Sequence, residues 1–253
     1  MEIVKTKIPS SKGNLAAAIH YPETKTERLA ILCPGYVDSK DYKHLVGLAE
    51  ALSKQGYTVV RFEPTGTWES EGDISDYTTT QYLEDIKNVL EYMLKKEDYR
   101  YILLGGHSRG GQVSILYAAR DPRISLVVGI MPSTRRSMGR EERKETGVDI
   151  SERDLPDNKE EKREFRVPYS HVEDREQYDV VKDVKKIRAS LILIAGELDD
   201  LVLPEEVKEI FDSANGPKKL IIIPGIGHDY RQNDEEIKIV NGNILEQLHS
   251  MQI

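Results

Sequence analysis

The pentapeptide Gly106-His107-Ser108-Arg109-Gly110 constrains this chain more than any other feature. It follows a short apolar run, Tyr101-Ile102-Leu103-Leu104, that suits a buried strand. It precedes Gln112–Arg120, where Val113, Leu116 and Tyr117 recur at helical spacing. In G-x-S-x-G between a strand and a helix, the serine sits on a sharp, strained turn whose flanking positions tolerate only small residues, because larger side chains would collide. Such a serine is also exposed at a helix N-terminus, where main-chain N–H groups and the helix dipole favour developing negative charge. Ser108 is therefore a candidate nucleophile. The plainer reading is a glycine-rich loop in which Ser108 only caps a helix.

The surrounding chain supplies the scaffold such a turn needs. Ile3–Ile8 and Leu15–Tyr21 flank the turn Ser10-Ser11-Lys12-Gly13-Asn14 and predict an antiparallel hairpin at a sheet edge. Strands are then expected at 29–33, 57–62, 101–104, 126–131, 191–195 and 219–223. Helices are expected at about 42–55, 80–95, 112–120, 204–213 and 234–251. Strands alternating with helices imply right-handed crossovers and a mainly parallel sheet. From Ser133 to about Val181 the rhythm gives way to charged clusters such as Arg140–Glu145 and Glu160–Glu164, which reads as an insertion. It follows a strand's C-terminal end, so it is expected over the edge where open α/β sheets carry their sites. There it either shapes the pocket as a cap or forms a solvated helical flap.

A length of 253 residues accommodates one such α/β domain, divided here into a core of 1–132 and 182–253 and a cap of 133–181. The net charge of −8 argues against nucleic acid as a partner. Cys33 is the only cysteine and has no intramolecular partner; it reads as a small core residue, and nothing points to an oxidising compartment. Met1–Lys7 lacks the apolar segment of a signal peptide, and no apolar run approaches the roughly 18 residues of a membrane span, so the expectation is a cytoplasmic protein with no membrane partner. His20, His44, His171 and His249 show no metal-ligand spacing, and no metal or cofactor is expected. His171, beside Tyr169 in the insertion, reads as packing, with substrate contact as the alternative.

A serine hydroxyl is a poor nucleophile at neutral pH and needs a base, itself oriented by a carboxylate. Both occur at later strand ends. Gly196-Glu197-Leu198-Asp199-Asp200 follows one strand and offers three acids; Gly225-Ile226-Gly227-His228 follows the next and offers the base. Ser, then acid, then His is the chain order expected of a strand-turn-helix serine. An oxyanion also requires donors. The main-chain N–H of Arg109, next to the nucleophile, supplies one; that of Tyr36, in the loop Pro34-Gly35-Tyr36, supplies the other. His107 is expected to support the elbow through hydrogen bonds of its own.

Taken together these residues resemble the α/β-hydrolase family over nearly the whole chain. Pro34–Lys40, Arg61–Gly72 and the serine elbow are similar to capped bacterial serine esterases of the cinnamoyl/feruloyl type. The resemblance implies an eight-stranded sheet with helices on both faces, no cofactor, and ester hydrolysis through an acyl-serine intermediate. It also favours Asp199 as the acid, at the family's usual offset from the glycine turn. Two departures stand out: Pro34 takes the place of the usual His before the oxyanion glycine, and Pro64-Thr65-Gly66-Thr67-Trp68 replaces a more usual R-G-x-G loop. The expectation is thus a serine carboxylesterase acting on small esters, short-chain acyl or hydroxycinnamoyl, with oligomeric state left open, including a homo-oligomer. Alternatives are a peptidase or acyltransferase on the same scaffold and a non-catalytic binding module. The last is disfavoured because Ser108, Asp199 and His228 are all present, and dehalogenase chemistry because it needs a carboxylate where Ser108 stands.

Overall fold

A computed structural model describes residues 1–134 and 145–251. Its centre is an eight-stranded sheet formed by β1 (Glu2–Ser10), β2 (Gly13–Tyr21), β3 (Arg28–Cys33), β4 (Thr58–Phe62), β5 (Tyr101–His107), β6 (Leu126–Ile130), β9 (Ser190–Gly196) and β10 (Lys218–Ile223). Two further strands, β7 (Val148–Asp154) and β8 (Lys162–Pro168), form a separate antiparallel pair. The order in the large sheet is β1-β2-β4-β3-β5-β6-β9-β10. The β1–β2 hairpin lies at one edge, as the turn at Ser10–Asn14 predicts, and β2 joins β4 antiparallel. Every pairing from β4 through β3, β5, β6 and β9 to β10 is parallel.

The parallel strands inside the sheet, β3, β4, β5, β6 and β9, bury both faces, so their apolar residues sort by parity, whereas the edge strand β10 is only partly covered. In β3, Leu29, Ile31 and Cys33 enter one core cluster while Ala30 and Leu32 enter the other. The first cluster is covered by α2 (Thr79–Leu94), α3 (Arg109–Ala118) and α6 (Pro204–Ser213), the second by α1 (Lys43–Lys54) and α7 (Asp234–Ser250). Helix α1 buries Leu45, Leu48, Ala49 and Leu52 at the spacing read from sequence, and Gly56, at φ +85°, turns the chain into β4. Thr78 caps α2 by accepting the Gln81 N–H, Pro204 opens α6 at its first turn, and Asn233 caps α7 through the N–H groups of Glu235 and Glu236. Cys33 is fully buried, and burial pushes its thiol up to about 12, which suits a packing role.

Two local expectations change. Helix α3 starts at Arg109, three residues before the apolar periodicity begins, because the two glycines after it carry no periodic signal. The insertion is not a helical flap: its described part holds the β7–β8 hairpin and two short helices, α4 (Ser170–Arg175) and α5 (Val180–Asp183). Within β7 the usual alternation is inverted, since Asp149 is buried while Ile150 is 53% exposed. Residues 140–144 of the first charged cluster lie outside the described residues. No described helix is long and apolar enough to cross a membrane.

Candidate active site

Three strand ends converge at the C-terminal edge of the sheet. Strand β5 stops at His107, Ser108 adopts φ 52° and ψ −115°, and α3 begins at the next residue. A non-glycine residue in this region costs about 1–3 kcal/mol, and it persists only where neighbours fix it. Here the Ser108 N–H donates to the Ile130 carbonyl at 2.8 Å, and the Ser108 carbonyl accepts from Gln112 and Ser133 at 3.0 and 3.1 Å. The flanking glycines are sterically required. A Cβ on Gly106 would lie 2.2 Å from the Cys33 carbonyl oxygen, and one on Gly110 would lie 2.0 Å from it.

The loops after β9 and β10 bring in the acid and base. His228 Nε2 lies 3.0 Å from Ser108 Oγ, and His228 Nδ1 lies 2.8 Å from Asp199 Oδ2. With the Nδ1 proton directed at Asp199, Nε2 is the acceptor for the serine hydroxyl. Asp199 is buried, and its other oxygen accepts the N–H groups of Leu201 and Val202 at 3.0 and 2.8 Å. Of the three acids in this loop, Glu197 and Asp200 are exposed, and Glu197 instead accepts the Gly225 N–H. The geometry thus brings together Ser108, His228 and Asp199. Ser108 is 9% exposed and His228 8% exposed, so the hydroxyl and imidazole are largely withdrawn from water yet line a cavity of about 350 Å³.

Around His228 lies a shell of neutral rings. His107 packs 4.7 Å from it between ring centroids and meets His44 and Tyr230 edge-on. His107 lies against the His228 main chain, which acts on it as a hydrogen-bond partner, and packs by its ring on the His44, Tyr230 and His228 rings. Burial is the main force holding the His107 pKa well below its ordinary value, with the neighbouring His228 and His44 acting in the same direction; burial pushes His44 down to about 3. Both are neutral at physiological pH, so neither places a fixed cation against His228.

The Gly35-Tyr36 loop is held as tightly as the elbow. Val37 adopts φ 46°, unusual for a β-branched residue. Its N–H donates to the Tyr77 hydroxyl at 3.0 Å, and its carbonyl accepts from Trp68 Nε1 at 2.9 Å. Arg153, from β7, donates through Nε and Nη2 to the Tyr36 carbonyl at 3.2 and 2.9 Å and pairs with Asp38 at 3.2 Å. Among the described residues, no hydrogen bond uses the main-chain N–H of Tyr36 or Arg109. For Arg109 this follows from its place at the first position of α3.

The Tyr36 side chain faces the insertion, its hydroxyl donating to Asp149 Oδ2 at 2.8 Å and its ring stacking on His171 at 5.5 Å. His171, placed by sequence in the insertion, therefore lines the same cavity; burial, and then Arg109, pushes it down to about 4. Asp149 and Arg153 were not legible as site residues. Their only sequence signal is the alternation of Phe165 and Val167 in the partner strand, which marks a hairpin but not which face of β7 turns inward.

Two groups of described side chains have metal-ligand atoms within 4.8 Å of one another. Asp38, His44 and His107 form one, but Asp38 is engaged by the Arg153 guanidinium and Arg231 stands nearby, which opposes a cation. Asp41, Glu63 and Glu69 form the other, and the buried Lys40 ammonium already lies 2.8, 3.4 and 2.7 Å from their oxygens.

Comparison with known proteins agrees with this architecture. The hydrolase family model described as serine aminopeptidase, S33, matches residues 24–145. A mitochondrial palmitoyl-protein thioesterase of Mus musculus is 22% identical over 212 residues, covering 81% of this chain and 69% of that protein. Among solved structures, Est1E from Butyrivibrio proteoclasticus with ferulic acid bound superposes with a TM-score of 0.79 at 24% identity, covering 97% of this chain and 98% of that one. The α/β-hydrolase GrgF from Penicillium superposes with a TM-score of 0.79 at 19% identity over the full length of both chains. The chain has the α/β-hydrolase fold.

Proposed function

We propose that this α/β-hydrolase is a serine carboxylesterase that cleaves small carboxylic esters through an acyl-serine intermediate. The carrying observation is the contact sequence Ser108 Oγ, His228 Nε2, His228 Nδ1, Asp199 Oδ2, with separations of 3.0 and 2.8 Å. His228 takes the Ser108 proton as Oγ attacks the ester carbonyl, and the Asp199 carboxylate stabilises the resulting imidazolium. The N–H groups of Tyr36 and Arg109 receive the developing oxyanion, and water then releases the acid by the reverse sequence. Residues 133–181 serve as the cap, with β7 bracing the Tyr36 loop and His171 closing one wall. A cavity of about 350 Å³ suits a small substrate.

The test uses the purified chain with p-nitrophenyl acetate and butyrate, ethyl butyrate and methyl ferulate, together with labelling by a fluorophosphonate. Turnover of at least one ester and a covalent adduct on Ser108, both lost in Ser108→Ala, support the reading. No turnover and an unmodified Ser108 refute it. The mouse thioesterase relative favours adding a short acyl thioester as a second substrate class, since a thioester passes through the same acyl-serine.

A further inference from the structure

The segment Gly35–Asp38 closes on itself as a tight turn: the Asp38 N–H donates to the Gly35 carbonyl at 3.2 Å, with Tyr36 and Val37 as the central residues. Val37 holds the third position at φ 46°. Glycine or asparagine is the usual occupant of a turn position with positive φ, and a β-branched residue is strained there. Such strain persists only where the surroundings over-determine the backbone.

Trp68, the only tryptophan of the chain, supplies part of that constraint. Its Nε1–H donates to the Val37 carbonyl at 2.9 Å, and among the described residues no other hydrogen bond reaches that oxygen. The bonded carbonyl belongs to the same peptide as the Asp38 N–H. The contacts therefore run in series, from the indole N–H to the Val37 carbonyl, and from the Asp38 N–H to the Gly35 carbonyl, whose own peptide carries the Tyr36 N–H. Hydrogen bonds in such a row polarise one another. Trp68 ends the segment Pro64–Trp68 that departs from R-G-x-G, and it too is left-handed, at φ 45°. Its ring meets Phe165 of β8 edge-on at 5.3 Å and Tyr42 at 6.0 Å. Arg163, also of β8, lies 5.5 Å from the ring centroid and donates through Nη1 to the Trp68 carbonyl at 3.0 Å.

We infer that Trp68 is a positioning residue for the reaction: its indole N–H holds the Gly35–Asp38 turn in the strained form that presents the Tyr36 N–H to the oxyanion. Trp68 does not line the cavity, so it acts through the turn and not on the substrate. Without the bond, Val37 relaxes toward negative φ, and the peptide that carries the Tyr36 N–H loses its fixed direction. This inference rests on the acyl-serine reading above, with Tyr36 as an oxyanion donor, and adds to it a residue outside the cavity.

The test removes the N–H and keeps the ring. One variant carries 3-benzothienylalanine at position 68, introduced site-specifically, in which sulfur takes the place of the indole N–H; Trp68→Phe is the second. Each is compared with the parent for kcat and KM on p-nitrophenyl butyrate, for the Ki of 1,1,1-trifluoro-2-hexanone, whose adduct with Ser108 carries an oxyanion, and for melting temperature. In the benzothienyl variant kcat should fall about 10–100-fold with KM within about twofold, and the trifluoroketone should bind about tenfold or more weakly, at an unchanged melting temperature. Trp68→Phe should lose kcat to a similar degree. A benzothienyl variant with kcat within about twofold of the parent overturns the inference, whatever Trp68→Phe does, and leaves Trp68 a packing residue. A lower kcat with undiminished trifluoroketone affinity overturns it as well, as does a raised KM with kcat unchanged. If the parent turns over no ester and binds no trifluoroketone, it is the acyl-serine reading that fails.

Discussion

Arg153 Nη2 donates to the main-chain carbonyl of Tyr36 at 2.9 Å, so a residue of the insertion fixes the peptide plane adjoining a candidate oxyanion donor. The same guanidinium reaches Asp38 and ties the loop at both ends. Arg153 does not itself reach the reacting atoms; it is a positioning residue. Arg153→Met should therefore lower kcat about 10–100-fold with little change in KM, since a displacement of about 1 Å at a reacting centre costs on the order of 10²-fold. Arg153→Lys should recover part of this loss. Stopped-flow acylation rates and melting temperatures for both variants check it; a loss that tracks stability alone contradicts the positioning role.

Asp199→Asn preserves an acceptor for the Leu201 and Val202 N–H groups, so the loop should hold its shape. What it loses is the charge that orients and stabilises the His228 imidazolium. Ester turnover should drop by about 10³–10⁴-fold with an unchanged melting temperature. Asp200→Asn, at an exposed position, serves as the control and should stay within about twofold. Comparable losses in both variants would show that the acid has been misassigned.

Gly110 and Gly242 make opposite predictions for one chemical change. A Cβ at Gly110 meets the Cys33 carbonyl oxygen at 2.0 Å, whereas one at Gly242, in the exposed middle of α7, meets nothing within 4 Å. Gly242→Ala should stabilise the protein by about 0.5–1 kcal/mol through helix propensity and reduced unfolded-state freedom, raising Tm by about 1–4 °C. Gly110→Ala should lower Tm and abolish turnover. Differential scanning calorimetry separates the two, and a stabilised Gly110→Ala would contradict the steric account of the elbow.

Acid lability should trace to buried neutral histidines. Burial pushes His44 down to about 3 and His20 to about 4, while the unfolded chain titrates near 6.5. Between these values the unfolded state binds more protons than the folded one, so their contribution is complete above pH 6.5 and is lost as pH falls toward 4. The buried carboxylates Asp38, Glu63 and Asp85, whose pKa values burial raises, act in the opposite sense, so a single-histidine comparison is needed. His44→Leu should lose less stability than the parent between pH 7.5 and 5.5, by up to about 1.4 kcal/mol per pH unit below 6.5. Urea unfolding at each pH measures this, and parallel declines in the two proteins would rule His44 out as a source.

Much of the core was readable because the signals are local. The period of apolar residues in α1, the run of β3 and the glycines beside Ser108 each reflect constraints within a few residues of chain, and the structure places all of them as expected. The order of Ser108, Asp199 and His228 was legible for a related reason: each follows a strand, and a parallel sheet gathers strand ends on one edge. The choice among Glu197, Asp199 and Asp200 was not local. It depends on which carboxylate the turn after β9 buries beside the loop after β10, a matter of two segments meeting.

The insertion shows the same division more sharply. Its charge clusters marked where the strand-helix rhythm stops, but β7 buries Asp149 and exposes Ile150, against the pattern by which hydrophobicity assigns a face. Asp149 turns inward because Tyr36 offers it a hydroxyl from 113 residues away, and Arg153 does so because the Tyr36 carbonyl and Asp38 await it. By itself the sequence determined the sheet, the elbow and the place of Ser108 as candidate nucleophile, because backbone sterics and periodicity act over short stretches. Only the tertiary structure decided that Asp199, favoured by resemblance but not by its local sequence, is the buried carboxylate against His228, and what braces the Tyr36 loop, because pairing between buried polar groups is set by contacts between distant segments.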